Sequence, residues 1–381
     1  MDQRRLSMSD IVIGESLRWD VYGADRKLLL PKGHIIENAH QAESLLEPGL
    51  YVNATNVDVA PQQQPEEPVK NFEFPSVLRL FNLAYKQLER LLYGLSTEPD
   101  AQAKILDVVK AVTDATDLNH DIALGCVLLN QSAGNYSVRH CIDTAIVSLL
   151  VMRSMGKTPD EIATVMAAAL TMNVGMLRYQ DQLVNKQDAL SDKEIEIIKK
   201  HPEESVDILK QAGIDNADWL SHVLLHHENE DGSGYPLGGN VAAISQNAKI
   251  LTLADHYCAS ISSRKYRKTL AHNAALRDVF LAGGKARDPI LAACFIKELG
   301  THAPGTFVRL QNGEIGVVTG KGSDPATPIV HALIGSRGAP LLFPIKRDTA
   351  KPPYGVREPV IDEQQTLSIG LHELWGDAPG V

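Results

Sequence analysis

The chain has 381 residues, with 37 Lys+Arg against 47 Asp+Glu, a formal charge of −10 and 44% hydrophobic residues. Such a length predicts two or three domains with a sizeable core, and the ordinary composition excludes a disordered or fibrous protein. The acidic balance argues against a general nucleic-acid or membrane-surface binder, which needs a basic face, but leaves room for a small anionic ligand held by a local basic cluster.

Charge and histidine are both unevenly spread. Residues 1–134 carry 12 Lys+Arg against 19 Asp+Glu, whereas 135–300 carry 18 against 20. Of 13 histidines, five (His201, His222, His226, His227, His256) fall within 56 residues, where even spacing would put about two. The opening MDQRRLSMSD has no apolar stretch behind its charges, so no secretory signal is expected. Cys126, Cys141, Cys258 and Cys294 are scattered without CxxC spacing and read as reduced thiols in apolar surroundings. A soluble, cytoplasmic protein is the expectation.

Residues 1–57 read as a small α+β module, with strand-like Ile11–Ile13, Lys27–Leu30 and Leu50–Val52 and a short helix Ala39–Leu46. Residues 58–75 hold four prolines among Gln and Glu and read as an extended linker. From 76 to 302 the apolar spacing is helical. Helices are predicted over Val77–Leu95, Ala101–Thr116, Tyr136–Met155, Pro159–Thr171, Asp192–Ala212, Asn216–His227, Asn247–Ser262 and Asn273–Leu281. Thr158-Pro159-Asp160-Glu161 and Ser191-Asp192-Lys193-Glu194 are start signals. The uncharged run Ile162 to Leu177 has 16 residues, short of the roughly 20 a membrane span needs, and reads as a buried helix and its exit. Residues 303–381 turn to β character. Thr306–Leu310 and Glu314–Thr319 flank Asn312-Gly313, a hairpin signal, and Ile329–Ile334 and Leu341–Ile345 follow.

The chemistry gathers in the helical part. His226-His227-Glu228-Asn229-Glu230-Asp231-Gly232-Ser233-Gly234-Tyr235-Pro236 puts two adjacent histidines before a Gly-rich turn. Such histidines can converge on a metal while the loop approaches a ligand closely. His140 and His201 lie in helical stretches, and Asp255 sits on an apolar helix, where a carboxylate needs a strong partner. Arg264-Lys265-Tyr266-Arg267-Lys268 is the densest basic run. It reads either as cations at a helix C-terminus or as a clamp for phosphate.

These segments resemble the HD-GYP family, helical metal-dependent phosphodiesterases that hydrolyse the bacterial messenger cyclic di-GMP. HHENEDGSGYP is similar to the signature loop, KKHPEESVDIL to a histidine helix, NYSVRHCIDTA to the first histidine helix and LADHYCASISSRKYRK to the terminal aspartate helix. The resemblance covers roughly 120–300 and implies a mainly α fold, an HD-type helical bundle flanked by the two smaller modules. It implies metal ligands at His140, His201, His226, His227 and Asp255, and ligand contacts at Tyr235, Arg264 and Arg267.

One motif departs. Where the family reads HDIGK, this chain reads Met172-Asn173-Val174-Gly175-Met176. The family's metal-binding His, bridging Asp and following Lys are thereby Met172, Asn173 and Met176. Asn173 offers one neutral carbonyl oxygen, and Met172 a soft thioether poorly matched to Fe or Mn. The resemblance then implies one divalent transition metal of the Fe or Mn class on His201, His226 and His227, or none. His222 precedes His226 by four and shares its helical face, a candidate replacement ligand. His256 lies about 100° round the helix from Asp255 and reads as structural.

The expected function is a degenerate HD-GYP signalling protein that binds cyclic di-GMP or a related dinucleotide, or docks a partner protein through the GYP loop, without efficient hydrolysis. The first alternative is an active phosphodiesterase with a mononuclear or rebuilt site, and the second a metal-free interaction scaffold. No DNA, RNA or membrane partner is expected, and a homodimer is compatible with the pattern.

Overall fold

The computed structural model describes residues 76–129, 134–183, 188–240, 243–262, 270–280, 288–322 and 326–360. It also describes residues 186, 324 and 374–375 and short N-terminal pieces (3–5, 17, 19–22, 28–30, 32–34, 36 and 51–53). Contacts divide the chain into two compact units, Met1–Phe74 with Trp375–Pro379, and Pro75–Leu374 with Gly380–Val381. In the first, strands β1 (Gln3–Arg5), β2 (Val21–Tyr22), β3 (Leu28–Leu30) and β4 (Tyr51–Asn53) form an antiparallel sheet in the order β1-β4-β2-β3. The expected Ile11–Ile13, Ala39–Leu46 and linker over 58–75 lie outside the described residues.

The second unit opens with helices α1 (Val77–Gly94), α2 (Ala101–Leu118), α3 (His120–Leu129), α4 (Tyr136–Ser154) and α5 (Pro159–Thr171). A short turn of helix, Val174–Met176, leads to α6 (Leu177–Leu183), α7 (Asp192–Gln211), α8 (Ala217–Leu225), α9 (Gln246–Ile261), α10 (His272–Phe280) and α11 (Pro289–Leu299). The mainly α architecture is therefore as the sequence implies.

Helix α4 is the axis of the bundle. Every residue from Tyr136 to Met152 is buried, the state of a helix packed on all sides. Asp181 of α6 anchors its start by accepting hydrogen bonds from the Ser137 N–H and hydroxyl and from Tyr93 of α1. Helix α5 begins with the Thr158–Glu161 capping box and Pro159 at its first turn, so its start is set locally. The stretch Pro159–Leu183 is long and apolar enough to cross a membrane by length and composition, yet 72% of its apolar window is buried inside the protein. Its apolar character is that of a core element.

Periodicity alone passes over α3, because Ile122 to Val127 are buried on every side and leave no amphipathic stripe. Helix α11 has legible ends in the Asp288 N-cap, Pro289 and Gly300.

After α11 come β5 (Phe307–Leu310), β6 (Ile315–Gly320), β7 (Ile329–Ile334), β8 (Pro340–Asp348) and β9 (Val356–Pro359). They form an antiparallel sheet in the order β8-β7-β6-β5-β9. The Asn312-Gly313 turn closes the β5–β6 hairpin with Arg309 opposite Ile315 and Gly313 at φ +91°, backbone that favours glycine. Val308, Leu310, Val318 and Val330 form the sheet's own core, with Tyr354 and Val356 packed against it.

Candidate metal centre

Four helix ends or faces carry the site. His201 lies mid-way along α7, immediately before Pro202. Proline has no N–H, so the Ile198 carbonyl, four residues back, lacks its helical donor. The His201 Nδ1–H donates to that same carbonyl at 2.5 Å. At the end of α8, where the last carbonyls leave the helical ladder, the His226 Nδ1–H donates to Val223 O at 2.6 Å. Both rings are therefore tied through Nδ1, and both present a bare Nε2.

Those two Nε2 atoms face each other at 3.1 Å. With both Nδ1 atoms protonated, this is a contact of two lone pairs that only a proton or a cation relieves. Burial and the neighbouring His226 push the His201 pKa down to about 3, and burial lowers that of His226 as well, so a proton is the poorer answer. Metal–nitrogen bonds of about 2.1 Å place adjacent ligands roughly 3 Å apart. A backbone carbonyl on the far ring nitrogen is the usual support of a metal-bound histidine. The geometry fits an ion.

His227 completes the first group: ligand atoms of His201, His226 and His227 all lie within 4.8 Å of one another. His227, Asp255 and His256 form a second group by the same measure. Asp255 is buried on α9, and His140 Nε2–H donates to its Oδ1 at 2.7 Å. Burial opposes ionisation of Asp255, but the hydrogen bond from His140 outweighs it, and the carboxyl is held well below its ordinary range. His140 thus holds a candidate ligand in place and belongs to neither group among the described residues.

The Gly-rich loop folds back over the histidines. Tyr235 N–H donates to His227 O at 3.2 Å, and the Tyr235 ring stacks on His227 with centroids 4.6 Å apart. A Cβ on Gly234 would sit 2.5 Å from Glu228 Cα and from His227 O, so only glycine allows this approach. Glu228, buried, accepts from the N–H groups of Leu237 at 2.6 Å and Gly238 at 3.0 Å and ties the loop shut. Burial pushes the Tyr235 hydroxyl well above its usual pKa.

The departing motif keeps its place in the fold. Met172 caps α5 and is wholly buried. Ser205 of α7 donates its hydroxyl to Met172 O at 2.8 Å and accepts from Gly175 N–H at 2.9 Å. A Cβ on Gly175 would lie 2.8 Å from His201 O and from Ser205 N, so the turn sits directly on the His201 helix. Asn173 is buried, and its amide lies near enough to the Cys141 thiol of α4, beside His140, to oppose the rise that burial gives that thiol's pKa. Met176 is nearly buried in the short turn that follows. His222, though on α8 with His226, is buried outside both ligand groups. Arg264 and Arg267 lie outside the described residues.

His256 differs from its sequence expectation. Adjacent positions on a helix diverge by about 100°, yet its ligand atom reaches the group of His227 and Asp255. Their partner stands at the end of another element, α8, where side chains from two neighbouring positions of α9 reach it. Pro202, Ser205, Glu228 and His256 stand beside the candidate ligands, and ligand spacing did not single them out. The His201-Pro202 pair was the one available signal.

Residues 128–289 match the family model described as HD domain. The chain is 28% identical over 232 residues to a cyclic di-GMP phosphodiesterase of Pseudomonas aeruginosa, covering 61% of this chain and 56% of that protein. It is also 28% identical over 203 residues to a cyclic di-GMP phosphodiesterase of Borreliella burgdorferi, covering 53% of each. The helical unit belongs to the HD-GYP family. A solved HDG"Y"P protein from Bdellovibrio bacteriovorus shares the fold, with a TM-score of 0.50 and 13% identity over 78% of this chain and 99% of that one. The chain spans about half the length of the curated relatives it matches. As an HD-GYP domain it carries histidine and aspartate groups able to hold a metal.

Proposed function

We propose that this HD-GYP domain binds cyclic di-GMP at the His201–His226–His227 pocket and hydrolyses it inefficiently or not at all. The observation that carries the reading is Asn173. Where the family motif has a bridging carboxylate, this chain has a neutral amide, beside a buried thioether. Asp255 is then the carboxylate among the two ligand groups. One carboxylate and neutral imidazoles balance one divalent ion far better than two.

A bound divalent ion supplies positive charge for a phosphoryl oxygen and lowers the pKa of water. His201 and His226 hold it through Nε2 atoms already oriented by Ile198 and Val223 carbonyls. Asp255, fixed by His140, keeps the pocket's charge from rising. The loop, closed by Glu228, sets Tyr235 over His227 at the place where a ligand meets the histidines. The relatives' names as cyclic di-GMP phosphodiesterases supply the ligand class. Docking of a signalling protein on the same loop is the other form of this reading, and a cytoplasmic location goes with either.

The rival is a slow phosphodiesterase with a rebuilt site, favoured by the second ligand group around Asp255. Titration calorimetry with cyclic di-GMP, paired with chromatography of the linear dinucleotide and GMP, separates the two. Binding is expected with turnover below a relative's by about a hundredfold or more, the loss typical when one charge-stabilising group is removed. Metal-dependent turnover at a relative's rate, abolished by His226→Ala, would sink the proposal. Absence of binding at high micromolar nucleotide would leave a partner-docking scaffold.

A further inference from the structure

We infer that His256 is a metal ligand in this chain, supplying beside Asp255 the nitrogen that the α5 motif no longer offers. The inference rests on the reading above that the histidine pocket holds a divalent ion.

The ligand atoms of His227, Asp255 and His256 lie within 4.8 Å of one another, and the His227 and His256 rings are 6.1 Å apart at an interplanar angle of 26°. Two imidazoles and one carboxylate form a donor set suited to divalent first-row ions and unlike the thioether of Met172. Asp255 already receives the outer hydrogen bond, from His140, that bound carboxylates receive in metal sites.

His227 belongs to both groups, so the two sets meet at one shared ring. On this inference the two sets act as a single centre extended toward α9, in place of one extended toward α5. Met172 offers only a buried, soft thioether and Asn173 only a neutral amide oxygen, so neither supplies the nitrogen that His256 offers. Charge agrees, since one carboxylate with one divalent ion leaves a single net positive charge for a phosphodiester.

Cobalt(II) is the probe for the test, on the full chain. Dialysis with metal analysis, and the visible absorption of the cobalt-loaded protein, are compared for wild type, His256→Ala and His222→Ala. His256→Ala is expected to weaken cobalt binding by roughly tenfold or more, at least the effect of removing an outer-shell support, and to change the ligand-field bands. His222→Ala is expected to leave both as in wild type. On manganese-loaded wild type, pulsed electron paramagnetic resonance is expected to count one imidazole beyond the three of the first group, which needs no variant to fold.

Equal cobalt affinity and spectrum in wild type and His256→Ala, or a count of three imidazoles, overturns the inference. Wild type that binds no cobalt overturns it too. Calorimetry with cyclic di-GMP on the same sample then shows whether nucleotide binding survives without the metal.

Discussion

At the scale of single residues, the site depends on groups that never touch a ligand. Pro202 removes one N–H from α7 and so leaves Ile198 O to His201. Pro202→Ala restores that donor, which then competes with the His201 ring. Cobalt affinity is expected to fall about tenfold, the lower end for loss of a ring's support, while the melting temperature holds or rises. Unchanged affinity would mean that packing, and not this carbonyl, orients His201. Gly175 is the second case. A methyl there meets backbone of α7 at 2.8 Å, so Gly175→Ala should lower stability by about 1–3 kcal/mol, as overpacking does. Urea unfolding measures it, and a wild-type midpoint would show that the turn can retreat from α7.

At the scale of elements, buried polar groups stitch helices whose packing is otherwise apolar. Trp219 of α8 donates its indole N–H to Thr171 at the end of α5 at 2.8 Å, which sets the helix bearing His226 against the one bearing Met172. Between α9 and α10, the Tyr257 hydroxyl donates to His272 Nδ1 at 2.7 Å, and His272 Nε2–H donates to Gly300 O at 2.8 Å. That arrangement needs a neutral ring. Burial pushes the His272 pKa down to about 4, below the ordinary value of about 6.5. Between those two pH values the unfolded chain binds a proton that the folded chain refuses. The contribution is therefore complete above about 6.5 and lost as pH falls toward 4. It amounts to about 3 kcal/mol, at roughly 1.4 kcal/mol for each pKa unit. His272→Gln, which keeps a donor and an acceptor, should flatten the fall in urea midpoint between pH 7 and 4. A variant as acid-sensitive as wild type would place the sensitivity on other buried histidines.

At the scale of the whole molecule, the bundle and the C-terminal sheet form one compact unit. Gly305, just before β5, has room for no Cβ, which would lie 2.8 Å from Leu128 Cβ of α3. The Arg347 guanidinium of β8 donates twice to Glu314, at 2.8 Å each, holding the far strand to the hairpin. Leu310 is wholly buried in the sheet core. Leu310→Ala should cost about 2–5 kcal/mol, and hydrogen exchange should quicken in bundle and sheet amides together. Faster exchange confined to the sheet would mean that it opens on its own.

Much of this was legible in the chain itself. Helix starts at Thr158 and Ser191 and the Asn312-Gly313 hairpin are local chemistry, since caps and tight turns involve residues a few positions apart. The histidine excess and the replaced Met172-Asn173 pair are likewise visible in the string, because composition and motif register need no third dimension. Helix α3 was hidden, because a helix buried on every side has no polar face to mark its period. The ligand sets were hidden for a related reason. His256 meets His227 across two elements, and His140 turns to Asp255 over 115 positions. Spacing along one helix predicts which side chains share its face. Which groups share a point in space is set by how several helices pack, and that packing alone moved His256 into the ligand set and left His222 outside it.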